Sequence, residues 1–266
     1  MGSVTYRLGL IGYPLGHSRS PELHSGFLRA CGLDGEYRLY PVPPDDENAL
    51  RHLFNSIRRG EIHGLNVTIP HKERAAKLAD RLTPAAEAIG AVNTLWAENG
   101  LLWGDNTDAP AFWEDLREKW PDAERGGLAL VLGAGGAARA VVYALEAHGW
   151  RVAVTARRQS QAEALCKRLR CATVEWGERA DAAASADLVV NATPVGMHPN
   201  AEESPLPTET RWNAATAVYD LVYNPPVTTL VAKAKAAGAP AFTGFGMLTR
   251  QARLAFIRWT GCVPSR

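Results

Sequence analysis

Short apolar runs alternate with stretches of helical periodicity along the whole chain, the pattern of an α/β protein. In the first half, Tyr6 to Gly12 reads as a strand. Pro21 to Cys31 reads as a helix, with proline in its first turn and Gly32 as its stop. Tyr37 to Val42 is a second strand, Asn48 to Arg59 a second helix and Ile62 to Ile69 a third strand. Ala91 to Ala97 and Leu101 to Gly104 flank Asn99-Gly100, a strong hairpin signal. The second half is more regular. Leu128 to Leu132 is wholly apolar, as expected of a parallel strand covered on both faces. A helix over Gly136 to His148, a strand over Arg151 to Thr155 and a helix over Ser160 to Leu169 follow. Asp187 to Asn191, Ala217 to Leu221 and Ala239 to Phe242 supply further strands. This alternation predicts a doubly wound parallel sheet. A domain border is expected near Asp108 to Pro110. The last helix, Gly246 to Trp259, comes after the last strand of the second domain and is placed to return to the first.

Composition removes several classes of function. With 29 Lys and Arg against 28 Asp and Glu, the formal net charge is +1, so no basic surplus calls for nucleic acid or an anionic membrane. A hydrophobic content of 46% provides for a sizeable core. No apolar stretch approaches the ~20 residues needed to span a bilayer. The first ten residues lack the pattern of a signal peptide, and Tyr6 stands where a myristoylation site has Ser or Thr. These features point to a soluble cytoplasmic protein. Cys31, Cys166, Cys171 and Cys262 form no Cys-x-x-Cys pair and have no histidine at zinc-ligand spacing. They are expected to be reduced, mostly buried thiols, and no metal is expected.

The clearest chemistry lies at Gly133-Ala134-Gly135-Gly136-Ala137-Ala138, between a buried strand and a helix. The first glycine permits a tight turn, the second lets the backbone approach a pyrophosphate, and Ala138 lets helix and strand pack closely. The helix N-terminus then offers free N–H groups and a positive dipole end to phosphates. The next strand ends in Thr155-Ala156-Arg157-Arg158. An NAD site has an acid there for the ribose 2′-hydroxyl, whereas a guanidinium suits a 2′-phosphate. The expected cofactor is therefore NADP(H).

Three polar clusters mark the first half. Ser18-Arg19-Ser20-Pro21 precedes a helix; its two hydroxyls suit a carboxylate, although Ser20 as an N-cap is the plainer role. Asn66-Val67-Thr68-Ile69-Pro70-His71-Lys72 runs from a strand into a helix, with Asn66 and Thr68 on one face. Lys72 falls in the first helical turn, where the dipole opposes a cation and favours proton exchange. Asp105-Asn106-Thr107-Asp108-Ala109-Pro110 precedes the next helix. Asp108 is there an N-cap by its plainer role and a hydrogen-bond acceptor for a substrate hydroxyl and Lys72 by its functional one.

Together these motifs resemble the shikimate dehydrogenase family over nearly the whole chain. The match rests on Ser18-x-Ser20-Pro21, Asn66-Val67-Thr68-x-Pro70-x-Lys72-Glu73, Gly90-Ala91-Val92-Asn93-Thr94 and Gly104-Asp105-Asn106-Thr107-Asp108. It continues through Gly133 to Ala137, Asn191-Ala192-Thr193, Tyr219-Asp220-Leu221-Val222-Tyr223 and Gly244-x-Gly246-Met247-Leu248-x-x-Gln251. The resemblance implies an N-terminal α/β substrate domain (1–108 and 244–266), a Rossmann-type NADP domain (109–243) and a cleft between them. It implies reversible NADPH-dependent reduction of 3-dehydroshikimate to shikimate, in the pathway to the aromatic amino acids. Ser18, Ser20 and Tyr223 would bind the substrate carboxylate, and Thr68, Asn93, Asp108 and Gln251 the rest of the substrate. Lys72, also in the substrate site, would transfer the proton, with Asp108 as its partner. Gly133, Ala134, Gly135, Gly136, Ala137, Ala156, Arg157, Arg158, Thr193, Leu221, Gly244 and Met247 would form the cofactor site. The protein would be a monomer or homodimer.

The chain departs from the family pattern in three places. Ala156-Arg157-Arg158 stands where Asn-Arg-Thr is frequent, which removes an asparagine contact and adds a second guanidinium. Ala109 follows Asp108 where Gly is frequent. The sequence ends soon after Val263-Pro264, where many relatives continue into a helix, and looser packing between domains is the expectation if that helix braces them. Two rival readings are an NAD-using quinate/shikimate dehydrogenase, which Arg157-Arg158 and the paired serines argue against, and a silent NADP-binding regulator, which the Lys72 and Asp108 pair argues against.

Overall fold

The structure is a computed structural model that describes residues 4–16 and 18–265. Residues 1–3, the start of the stretch read above for targeting signals, lie outside the described residues, as does His17. The chain divides into two compact units, Met1–Thr107 with Thr249–Arg266, and Asp108–Leu248.

The first unit runs β1 (Tyr6–Gly12), α1 (Ser20–Ala30), β2 (Gly35–Pro41), α2 (Glu47–Arg58), β3 (Gly64–Val67), α3 (Lys72–Leu78), β4 (Arg81–Leu82), α4 (Pro84–Ile89), β5 (Thr94–Glu98) and β6 (Leu101–Asp105). Its sheet has the order β2-β1-β3-β5-β6-β4. β1 pairs parallel to β2 and β3, and β5 antiparallel to β3 and β6. The β5–β6 turn places Asn99 at φ 53° and Gly100 at φ 74°, the positive pair that a two-residue type I′ turn requires. β3 is shorter than its apolar run. Beyond Val67 the His71 N–H closes a turn on the Thr68 carbonyl, and Pro70 has no N–H to extend a ladder. Pairing in the Ala91 stretch begins only at Thr94, because Gly90 ends α4 in the left-handed conformation.

Leu50, Phe54 and Ile57 of α2 pack on Ile11, Leu65 and Leu95. Strand alternation turns Leu8 and Leu10 to the other side, where they meet Leu28, Tyr37, Phe256 and Trp259. A side chain at Gly64 would run into the Trp259 indole, whose Nε1–H donates to the Leu95 carbonyl at 3.0 Å.

The second unit runs α5 (Asp108–Lys119), β7 (Leu128–Leu132), α6 (Gly136–Ala147), β8 (Arg151–Thr155), α7 (Gln159–Leu169), β9 (Ala172–Thr173), α8 (Arg179–Ala184), β10 (Leu188–Asn191), β11 (Ala217–Asp220), α9 (Thr229–Ala236) and β12 (Ala241–Thr243). The last helix, α10 (Phe245–Thr260), starts in this unit and ends in the first. The sheet order is β12-β11-β10-β7-β8-β9 and every pair is parallel. The order reverses beside β7, as in a doubly wound Rossmann sheet.

The cysteines correct the expectation of reduced thiols. Cys31 is joined to Cys262 and Cys166 to Cys171. The first pair is separated by 231 residues, so its proximity is invisible to sequence spacing. Packing of Phe256 and Trp259 brings the end of α10 beside the end of α1. In the second pair, Arg170 turns the chain back at φ 60° and leaves the two Cα atoms 4.5 Å apart. Among the described residues no helix is long and apolar enough to cross a membrane.

Candidate functional site

The glycine turn of the second unit has the geometry its sequence predicts. Gly133 sits at φ 112°, and a Cβ there would press on the Ala192 carbonyl and Thr193 Cγ2 at 3.1 Å. Its N–H donates to the Thr155 carbonyl at 2.8 Å, which fixes the turn to β8. Gly135 is extended and exposed, with nothing within 4 Å of where a side chain would begin. It precedes α6 with no side-chain cap, so the first-turn N–H groups and the dipole end suit a pyrophosphate. Ala134 and Ala138 are buried, whereas Gly136 and Ala137 are half-buried. At the end of β8, Ala156 is buried and Arg157 and Arg158 are exposed. Arg158 precedes α7, again with no side-chain cap. No acid stands there, so the residues fit NADP and its 2′-phosphate.

A buried carboxylate braces the neighbouring loops. Asp220 is fully buried at the end of β11. It accepts from Thr228 Oγ1 at 2.6 Å, Asn191 Nδ2 at 2.8 Å and the Val222 N–H at 3.0 Å. Asn191 Oδ1 in turn accepts from the Thr193 N–H and hydroxyl at 3.0 and 2.7 Å. Burial raises the Asp220 carboxyl to about 6, against the lowering effect of its three donors. One side chain thus holds the loop with Thr193 and the loop with Leu221 and Tyr223, all half-buried. Met247 is buried in the first turns of α10. A side chain at Gly244 would collide with the Leu221 backbone. Sequence alone assigns Asp220 and Asn191 no role, because the two meet only when β10 pairs with β11.

The first unit gathers the polar residues. Asn93 is buried and shares its amide widely. Its Oδ1 accepts from the Thr107 N–H at 2.8 Å, and its Nδ2 donates to Thr107 Oγ1 at 2.9 Å and lies 3.5 Å from Gln251 Oε1. Thr107 Oγ1 also lies 3.2 Å from the Gln251 carbonyl. Asn93, Thr107 and Gln251, 158 residues apart at the extremes, therefore form one cluster. Lys72 opens α3, and its carbonyl accepts from the Val92 N–H at 2.9 Å. This ties the lysine's backbone to the strand end that carries Asn93. His71, buried beside it, donates Nε2–H to the Val42 carbonyl at 2.7 Å. Thr68 is half-buried, with its methyl against Gly12.

Two capping roles differ from expectation. Ser20 is the first residue of α1 rather than its cap; Arg19 holds the cap position without a side-chain bond. The Ser18 hydroxyl instead accepts from the Ser20 N–H at 3.3 Å, and the buried Ser20 side chain is not used as a cap. Asp108 is likewise the first residue of α5, one position inside the expected cap, and is buried. It follows directly on Thr107, which Asn93 pins.

A Rossmann sheet with an uncapped glycine turn and two arginines, joined to a separate α/β unit with a clustered polar site, defines a two-unit NADP-dependent dehydrogenase. Residues 10–95 match the family model described as the shikimate dehydrogenase substrate binding domain, and residues 118–206 the model described as shikimate / quinate 5-dehydrogenase. The chain is 43% identical over 264 residues to the shikimate dehydrogenase (NADP(+)) of Methanopyrus kandleri, covering 96% of this chain and 90% of that one. It is similar to the crystal structure of shikimate 5-dehydrogenase from Thermus thermophilus in complex with NADP(H) and shikimate. That match has a TM-score of 0.87 and 40% identity, over 98% of this chain and 95% of that one. Quinate dehydrogenase from Corynebacterium glutamicum in complex with NAD is also similar, with a TM-score of 0.88 and 32% identity, over 98% and 95% of the two chains. This chain belongs to the shikimate dehydrogenase family.

Proposed function

We propose that this protein catalyses the reversible, NADPH-dependent reduction of 3-dehydroshikimate to shikimate, as a step towards the aromatic amino acids. The observation that carries the reading is the combination of exposed Arg157 and Arg158 beside the glycine turn with the Lys72, Asn93 and Gln251 segments in the first unit. Residues 1–108 and 244–266 form the domain that supplies most substrate contacts, and 109–243 the domain that supplies most cofactor contacts. The hydroxyls of Ser18, Ser20 and Tyr223 clamp the substrate carboxylate. Thr68, Asn93, Asp108 and Gln251 bind its ring oxygens. Bound NADPH supplies the hydride and its oxidised form takes it back. Lys72 Nζ gives a proton to the ring carbonyl oxygen in reduction and removes it from the hydroxyl in oxidation. The Asp108 carboxylate orients that exchange. Arg157 and Arg158 hold the 2′-phosphate, while Leu221, Gly244 and Met247 line the nicotinamide side.

The protein is proposed to work in the cytoplasm. The two disulfides persist in that reducing pool only if folding disfavours their reduction. The test of function is NADPH formation at 340 nm from shikimate and NADP+. Turnover supports the reading, and tight NADP binding with no turnover overturns it.

A further inference from the structure

Asp115 lies on α5, outside every motif that marks the family resemblance, and is buried. Its Oδ2 accepts from the Tyr219 hydroxyl at 2.6 Å and from Lys119 Nζ at 2.6 Å. Lys119 Nζ also donates to the Thr243 carbonyl at 3.2 Å. A side chain at Gly246 would run into the Asp115 carboxylate, so the first turn of α10 passes directly against it. All five residues belong to the second unit. Tyr219 is fully buried, with its ring edge-on to Phe112 of α5 and the centroids 5.1 Å apart. Tyr219 and Asp220 are successive on β11, so their side chains leave opposite faces. Asp220 ties one face to Asn191 and Thr228, and Tyr219 ties the other to Asp115. β11 and β12 stay paired as far as Asp220 and Thr243. Leu221 and Gly244 follow directly, packed too closely for a side chain at Gly244.

We propose that Asp115 is a positioning residue that sets the nicotinamide wall of the site. It fixes the strand end before Leu221 through Tyr219, and the segment from Gly244 to Met247 through Lys119 and Gly246. The inference rests on the role given above to Leu221, Gly244 and Met247. A buried ion pair is a poor device for stability alone, because desolvation offsets much of its attraction and apolar packing serves as well. What it adds is direction, since charge-assisted bonds hold the atoms they join in one geometry. Hydride passes only when the reacting carbons stand about 3–3.5 Å apart. A small shift of the wall therefore lowers turnover while the phosphates stay held. The phosphate half of the cofactor rests on the glycine turn and the two arginines, none of which is part of this network.

The test is Asp115→Asn in the full-length protein, with Tyr219→Phe and Lys119→Met beside it as milder losses and Met247→Ala as a direct probe of the wall. For each, kcat for shikimate oxidation, melting temperature and affinity for NADP+ are measured. So is affinity for adenosine 2′,5′-bisphosphate, which keeps the 2′-phosphate half of the cofactor and lacks the nicotinamide. In Asp115→Asn, kcat should fall about 10- to 100-fold, and less in the two milder variants. The deuterium isotope effect on kcat, from shikimate labelled at the carbon that gives up hydride, should grow. Affinity for NADP+ should fall while affinity for the bisphosphate matches wild type. Met247→Ala should show the same pattern. Normal turnover in Asp115→Asn beside that pattern in Met247→Ala overturns the inference alone. Normal turnover in Met247→Ala overturns the nicotinamide reading and the inference with it. Equal losses of affinity for NADP+ and the bisphosphate reduce Asp115 to a packing residue. If Asp115→Asn does not fold, Tyr219→Phe and Lys119→Met decide by the same readouts.

Discussion

The two units build their candidate sites by opposite means. In the second unit the backbone carries the site. A glycine at φ 112°, an open Gly135 and an uncapped helix end lie within a few residues of one another, and the charged side chains beside them are exposed. In the first unit, side chains carry it. Asn93, Thr107, Gln251, Asn66 and Tyr37 are locked together across segments far apart in the chain. A backbone site tolerates change outside its glycines, and a side-chain network does not. The units also bury opposite titratable groups: His24 in the first stays neutral well below its ordinary range, and Asp220 in the second keeps its proton up to about pH 6.

The largest expected effect separates chemistry from binding. Lys72→Ala should lower turnover by roughly two to four orders of magnitude with a much smaller change in substrate or cofactor affinity. Near-normal turnover would remove the lysine from the mechanism and leave the first unit as a binding surface only.

The buried groups should make the units respond differently to acid. Burial lowers His24 to about 3 from an ordinary 6.5, with Asn66 pulling weakly the other way. Between those limits the unfolded chain takes up a proton that the folded unit refuses. Stability is thus lost as pH falls from 6.5 towards 3, by about 5 kcal/mol in all. Asp220 has the reverse sign. Between 3.8 and about 6 the folded unit holds a proton that the unfolded chain has released, so stability rises by about 3 kcal/mol as pH falls through that window. Urea titrations of wild type and His24→Phe at pH 7, 6 and 4 separate the two. Relative to wild type, the variant should gain about 2.5 kcal/mol between pH 6 and pH 4. Parallel pH curves would mean that His24 does not govern acid lability.

Cys31→Ser should destabilise the first unit by about 2–4 kcal/mol in urea while leaving NADPH affinity unchanged. An equal loss of NADPH affinity would show that the units are not separate in the way described. The smallest effect concerns the cofactor. Replacing Arg157 and Arg158 together should weaken NADP roughly 10- to 100-fold and NAD little. Equal losses would deny the arginines their part in reading the 2′-phosphate.

The same contrast explains what could be read from sequence. The doubly wound order, the strand Leu128 to Leu132 and the glycine turn follow from local pattern, since each depends on neighbours within one strand–helix step. α8 and α4 escaped notice because six residues are too few to show a period. The candidate residues of the first unit come from family motifs, which do not show their partners. Tyr37 reads as an ordinary strand residue until β2 is set beside β1, and the Asn93–Gln251 contact appears only when α10 returns to the first unit. The Cys31–Cys262 link was missed for the same reason.

The division of labour is tested most directly by kcat/KM for shikimate and quinate, each with NADP and NAD. The account predicts that shikimate with NADP is fastest. It also predicts that the preference for NADP has the same size with either substrate, because the residues that choose the cofactor are not the ones that read the acid. A preference for NAD, faster turnover of quinate, or a cofactor preference that changes with the substrate would contradict it.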